Sequence, residues 1–190
     1  MNNLIRLEWR ARIPAAGILP VHRKRSVWRT GLKITILCVG KIKEKYFRDA
    51  AAEYIKRIGR YHKIEIVEVA DEKTPDGAGE ALTGQIMARE GERLLGKIKE
   101  GSYVAALAIE GKELSSEELA GKLETLAVNG ESHVTFVIGG SLGLSGQVKK
   151  RADFLMSFSR MTFPHQLMRV VLLEQIYRCC KISAREPYHK

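Results

Sequence analysis

From residue 33 onward, short runs rich in β-branched residues alternate with stretches of helical period. The strand-like runs are 34–39, 64–69, 103–109 and 134–138. Between them, 44–60 places Phe47, Ala50, Tyr54 and Ile58 on one face, and 80–99 does the same with Ile86, Leu94, Leu95 and Ile98, so two amphipathic helices are predicted. Ser115 followed by Glu118 predicts a capping box opening a third helix through Leu119, Leu123 and Leu126, which stops near Asn129-Gly130. Ser145 predicts the N-cap of a fourth, in which Val148, Ala152 and Leu155 share a face. A β-like piece, 157–163, leads through Pro164 into a last helix from His165 to about Lys181, with Leu167, Val170, Val171 and Tyr177 along one side. Strands that alternate with helices predict an α/β fold, a mainly parallel sheet with helices on both faces.

The 190 residues, 45% of them hydrophobic, can bury one substantial core, and we place a single domain at 33–190. Residues 1–32 hold Pro14, Gly17, Pro20 and Gly31 among charged and apolar residues of no sustained period, and read as an extension outside the fold. Two prolines interrupt 13–21, so it is a poor secretory core, and Ser26 and Thr30 alone make a poor transit peptide. We expect the natural product to begin near Leu32, with the upstream residues coming from a misassigned start. A native protein whose intact mass includes Trp9 and Trp28 would refute this. The longest apolar runs, 104–109 and 170–173, fall far short of the ~20 residues that span a bilayer, so no membrane partner is expected. Cys38, Cys179 and Cys180 form neither an even framework nor a metal spacing, and read as reduced thiols of a cytoplasmic protein.

Charge changes this picture less than its total suggests. The formal +10 points to an anionic partner, but residues 1–32 carry +6 of it, through Arg6, Arg10, Arg12, Arg23, Lys24, Arg25 and Arg29 against Glu8. The +4 left for 33–190 supports nucleic-acid binding only weakly.

Candidate chemistry gathers at strand ends. Residues 139–143 lie where a strand hands over to a helix, the usual ligand crevice of α/β sheets, yet they match neither GxGxxG nor a Walker loop. Taken alone they are equally a tight turn needing positive φ. With 107–111 and 159–164 they make three strand ends able to open on one pocket, which suggests a small-molecule site. His165 reads as a ligand contact or a cap. Arg169 stands among Leu167, Met168, Val170 and Val171, where a guanidinium needs anionic or carbonyl partners; Glu174 on the same helix is the plain alternative. Tyr188, His189 and Lys190 are either a frayed end or groups suited to a nucleobase and phosphate. No Ser/His/Asp order, zinc spacing or acidic metal cluster stands out, so no metal is expected.

The order of these pieces resembles one family. Leu107, Ile109 and Gly111 come first, then Ile138 to Gly140 with Gly143 to Ser145, then Ser159, Thr162, Phe163, Pro164 and His165, the helix 169–178, and Pro187 to Lys190 at the end. Over 33–190 the chain is similar to the ribosomal RNA large subunit methyltransferase H family of the SPOUT superfamily. The resemblance implies a small SPOUT fold with a C-terminal trefoil knot, a homodimer, and S-adenosylmethionine as methyl donor for N3 of a pseudouridine in 23S rRNA on the ribosome. It implies donor contacts at Leu107, Gly140, Ser159, Arg160, Met161, Thr162, Phe163 and Pro164, and a tail of Tyr188, His189 and Lys190 near the target base. This chain has Lys190 where some relatives have Arg followed by Glu.

On that basis His189, with an intrinsic pKa near ~6.5, is expected to remove the N3 proton, Tyr188 to stack on the base, and Arg169 to stabilise the developing anion. The alternative from another class is a non-catalytic nucleotide- or RNA-binding α/β protein, for which glycine loops and a basic surface suffice.

Overall fold

The computed structural model describes residues 31–188; residues 1–30, His189 and Lys190 lie outside the described residues. Five strands form one parallel sheet: β1 (Lys33–Val39), β2 (Lys63–Val69), β3 (Tyr103–Glu113), β4 (His133–Ile138) and β5 (Phe154–Ser157), in the order β2-β1-β4-β3-β5. The central strands β1 and β4 are buried along almost their whole length, because helices cover both faces. Helices α1 (Lys45–Ile58), α3 (Ser116–Val128) and α5 (His165–Ser183) cover one face over Ile34, Ile36 and Phe136. On the other face, α2 (Glu80–Leu95) and the short α4 (Gly146–Arg151) pack over Leu37, Val39 and Val137. The expected fold class is thus observed. No helix among the described residues is long and apolar enough to cross a membrane.

Local chemistry accounts for several boundaries. Ser115 Oγ accepts from the Glu118 N–H at 3.1 Å while Glu118 Oε2 accepts from the Ser115 N–H at 2.7 Å, the reciprocal pair that opens α3. Helix α1 ends with its apolar period, at Ile58 before Gly59, whereas α2 stops at Leu95 before Gly96 and leaves Ile98 outside the helix.

Three expectations need correction. Strand β3 does not end at Ile109 but runs to Glu113 through an irregularity: Leu107 and Lys112 both pair with Met156. The helix after Ser145 stops at Arg151, and Leu155 belongs to β5. Asp153 makes the switch, its carboxylate accepting from the Val104 N–H at 2.7 Å and its own N–H donating to Val104 O at 2.9 Å. The fifth strand is accordingly 154–157, not 157–163, and pairing with β3 ends at Glu113↔Ser157.

The last helix also buries a different face from the one expected. Arg169, Leu172, Leu173, Ile176, Cys179 and Cys180 point inward between α1 and α3, whereas Leu167, Val170, Val171 and Tyr177 remain partly exposed. Burial pushes the thiols of Cys38, Cys179 and Cys180 up to about 12, so all three stay protonated.

Candidate functional site

Because β4, β3 and β5 are adjacent and parallel, their carboxyl ends lie side by side at one edge of the sheet. The segments 108–111, 139–145 and 158–164 therefore converge there, as crevices in open parallel sheets do. At the first, the β3 irregularity lifts Ile109 into solvent, 56% exposed. Gly111 sits on the backbone of Leu155 and Met156, where an added Cβ would lie 2.6–2.7 Å from main-chain atoms. Glu110 pairs with Lys149 of α4 at 2.5 Å, which holds its carboxyl below the usual range.

The second segment is a tight turn. The Gly143 N–H donates to Gly140 O at 3.1 Å, and Gly143 has φ +86°. Positive φ thus requires glycine at 143, whereas Gly139 is needed for a different reason. A Cβ there would meet Gly143 O at 2.5 Å. Ser145 then caps α4, accepting from the Val148 N–H at 3.4 Å. Substitution Gly139→Ala should lower the thermal midpoint, at a cost of about 1–3 kcal/mol, because backbone rather than a flexible side chain must yield. An unchanged melting curve would show that the turn relaxes freely.

The third segment, 158–164, is an exposed loop whose start is organised by serines: Ser159 N–H donates to Ser157 Oγ at 3.3 Å, and Met161 N–H to Ser159 Oγ at 3.0 Å. Arg160, Met161, Thr162, Phe163 and Pro164 stand exposed, Met161 at 72%. Of the expected donor contacts, Leu107, Gly140 and Ser159–Pro164 thus share one edge of the sheet. A small apolar hollow lined by Tyr103, Leu119, Lys122 and Phe154, and an open one near Ile98 and Arg151, lie toward the opposite edge.

The amino end of α5 faces the same edge. Arg169 is fully buried; its NH1 donates to Glu68 Oε1 at 2.8 Å, and its NH2 to Val39 O at 2.7 Å and Gly40 O at 2.9 Å. The partner is therefore Glu68 of β2, not Glu174, which pairs with Arg178 at 2.5 Å. The guanidinium ties the turn at Gly40, φ +76°, to the start of α5. His165 is half-buried, and burial together with the nearby Arg169 charge holds its pKa below the ordinary histidine value.

One further group at this edge has no counterpart among the expected residues. Glu90 of α2 is 4% exposed, with Oε1 accepting from the Glu72 N–H at 3.0 Å and Oε2 against Gly140, where a Cβ would sit 2.8 Å away. Burial pushes its carboxyl above the usual range, with Asp71 and Glu72 adding to the effect. The only sequence signal is Gly91 beside it, a glycine inside a helix. A Cβ on Gly91 would run into Ser145.

The tail lies elsewhere. Arg185, at φ 55°, ends α5 with a Glu186 N–H bond to Lys181 O at 2.9 Å and turns the chain back. Glu186 then accepts from Tyr61 at 2.7 Å and pairs with Lys181 at 2.6 Å. Tyr188 donates its hydroxyl to Glu174 Oε1 at 3.0 Å, meets the Tyr177 ring edge-on at 5.2 Å and lies 4.5 Å under Arg178. Burial and Glu174 raise its phenol to about 12. Glu174 is about 13 Å beyond His165 along the helix axis, at ~1.5 Å per residue. Within one chain, Tyr188 is thus not gathered with the three loops; His189 falls outside the described residues.

Comparison with known proteins identifies the family. Residues 32–189 match the family described as "Predicted SPOUT methyltransferase". Ribosomal RNA large subunit methyltransferase H of Bifidobacterium adolescentis is 63% identical over 159 residues, 84% of this chain and 100% of that protein. The proteins of the same name from Bifidobacterium animalis subsp. lactis and Streptococcus thermophilus are 57% and 56% identical over the same shares. A solved probable methylase family protein from Haemophilus influenzae aligns with TM-score 0.46 at 11% identity, over 84% of this chain and 70% of that one. By a family match spanning most of its length and by whole-length similarity to these relatives, the chain belongs to the SPOUT methyltransferase family, alongside the large subunit methyltransferase H proteins.

Proposed function

We propose that this protein transfers the methyl group of S-adenosylmethionine to N3 of a pseudouridine in 23S rRNA, acting as a homodimer on the assembled ribosome. The observation that carries the reading is the 63% identity to a ribosomal RNA large subunit methyltransferase H over that relative's full length. Family membership favours an enzyme over the alternative of a non-catalytic binding module.

Gly139 and Gly140 let the turn after β4 close on Gly143 O and on Glu90, which supports a donor gripped by the main chain of that turn. In this reading Leu107, Gly140, Ser159, Arg160, Met161, Thr162, Phe163 and Pro164 hold the donor. The donor supplies an electrophilic methyl that needs no metal, and the protein's work is alignment and removal of the N3 proton. His189 is assigned that proton. Tyr188 takes the base by exchanging its bond to Glu174 for stacking, a rearrangement of the tail that the reading requires. Arg169, whose terminal nitrogens are committed to Glu68 and two carbonyls, is better suited to positioning the Gly40 turn and α5 than to touching the base. Partly exposed Leu167, Val170 and Val171, with exposed Ile109, supply apolar surface for a second copy.

So small a domain has little surface with which to recognise an isolated stem-loop, and its charge excess over 33–190 is only +4. Assembled ribosomes bearing the pseudouridine should be methylated at least about 100-fold faster than a protein-free transcript, a difference of ~2.7 kcal/mol. Mass spectrometry of the RNA fragment reads this. Equal rates on the transcript, or on ribosomes lacking the pseudouridine, would overturn the substrate assignment.

A further inference from the structure

We propose that Glu90 is a buried counter-charge that reads the positive charge of the methyl donor, favouring the cationic sulfonium over the neutral thioether left after transfer. The inference rests on the donor pocket proposed above and adds a residue of α2 to it.

Glu90 is held in place yet incompletely used. Oε1 takes the Glu72 N–H, while Oε2, fully buried, has no hydrogen-bond partner among the described residues. Both oxygens press on Gly140, at 2.8 and 3.2 Å from where a Cβ would stand. Glycine at 140 lets the carboxyl reach the turn that is assigned to the donor.

The groups around it neutralise the carboxyl only in part: burial outweighs the Glu72 N–H and the Arg93 charge, which favour its ionised form. From the segment after β2 come Asp71 and Glu72, both acidic; from α2 come Arg93, committed to Ala70 O and Glu72, and Arg89, paired with Glu72 at 3.5 Å. Beside the carboxyl, on the Gly140 side, stands the apolar Val39 side chain of β1. A carboxyl so placed costs free energy when ionised. A cation arriving at the Gly140 turn offsets that cost, and a neutral thioether does not.

The sign of the proton linkage follows. A cation beside Glu90 favours its ionised form, so donor binding expels a proton at pH values below the raised pKa of the free protein, and donor affinity falls with acidification. The same raised pKa makes folding stability from this group fully present below the ordinary carboxylate range and lost as pH rises through the raised value. Removing the charge therefore relieves a cost at neutral pH.

Titration calorimetry with S-adenosylmethionine and S-adenosylhomocysteine, in buffers of different ionisation enthalpy at a series of pH values from neutral downward, tests this. The wild-type protein should release a proton with the donor and none with the product. Glu90→Gln should abolish the release and weaken the donor about tenfold, leave the product within about twofold, and melt no lower than wild type at neutral pH. Equal effects on both ligands, or proton release unchanged by the substitution, would reduce Glu90 to a packing residue. The wild-type proton count needs no variant, so a poorly folded Glu90→Gln leaves the proposal exposed to refutation. Failure of the wild-type protein to bind either ligand would instead overturn the donor pocket itself.

Discussion

Arg169→Ala is expected to destabilise the protein by about 3 kcal/mol in urea titrations, the largest stability effect of any single side-chain truncation proposed here. The substitution strands Val39 O and Gly40 O, removes the cation paired with Glu68, which keeps its bond from the Ile42 N–H, and opens a cavity beneath α5. Glu68 keeps 32% of its side chain in solvent, so its charge regains water on losing Arg169, which sets the figure at the low end for a broken buried pair. Arg169→Lys should recover less than half of the loss. An ammonium carries the charge but lacks the fork that spans a carboxylate and two carbonyls at once. A loss under about 1 kcal/mol for Arg169→Ala would mean that the tie between β1, β2 and α5 is dispensable.

The second large effect concerns catalysis. His189→Ala should lower kcat about 100-fold or more while leaving donor affinity within about twofold, because a general base acts on the proton and not on the donor. In the wild type, kcat should rise with pH through ~6.5 as the imidazole becomes neutral, and the variant should lose that limb. Tyr188 is a poor substitute base, since a phenol ordinarily titrates near ~10. A kcat unchanged in His189→Ala, or an acid limb that survives the substitution, would remove His189 from the mechanism.

How far the sequence reaches differs from element to element. The capping box at Ser115 and Glu118 and the N-cap at Ser145 are legible because each uses groups three residues apart. The central strands are legible as apolar runs too short for helices. Helix α5 is where periodicity fails. With apolar residues at 167, 168, 170, 171, 172, 173 and 176, no one face stands out, and the buried one contains an arginine. The stop of α4 is equally hidden, because it depends on Asp153 bonding to Val104, a contact across 49 residues.

The candidate site divides in the same way. Leu107, Gly140 and the 159–164 loop could be named from motif order, and each sits at a strand end that the alternation of elements already implied. Tyr188 could be named but not placed, since its dock on Glu174 and Tyr177 depends on the turn at Arg185. Glu90 could not be named at all. In sequence it is one more charged residue on an amphipathic helix, and its burial arises only because Gly91 and Gly140 let α2 approach the loop after β4.

By itself, then, the sequence determined the α/β class, the caps, the central strands and the strand-end positions of the glycine and serine loops, because these depend on residues close together in the chain. Tertiary structure alone decided the strand order that sets three loops side by side, the inward face of α5, the Arg169–Glu68 tie and the burial of Glu90. Each of these joins groups far apart in the chain, and their free energy comes from desolvation and close packing, which no local pattern of residues encodes.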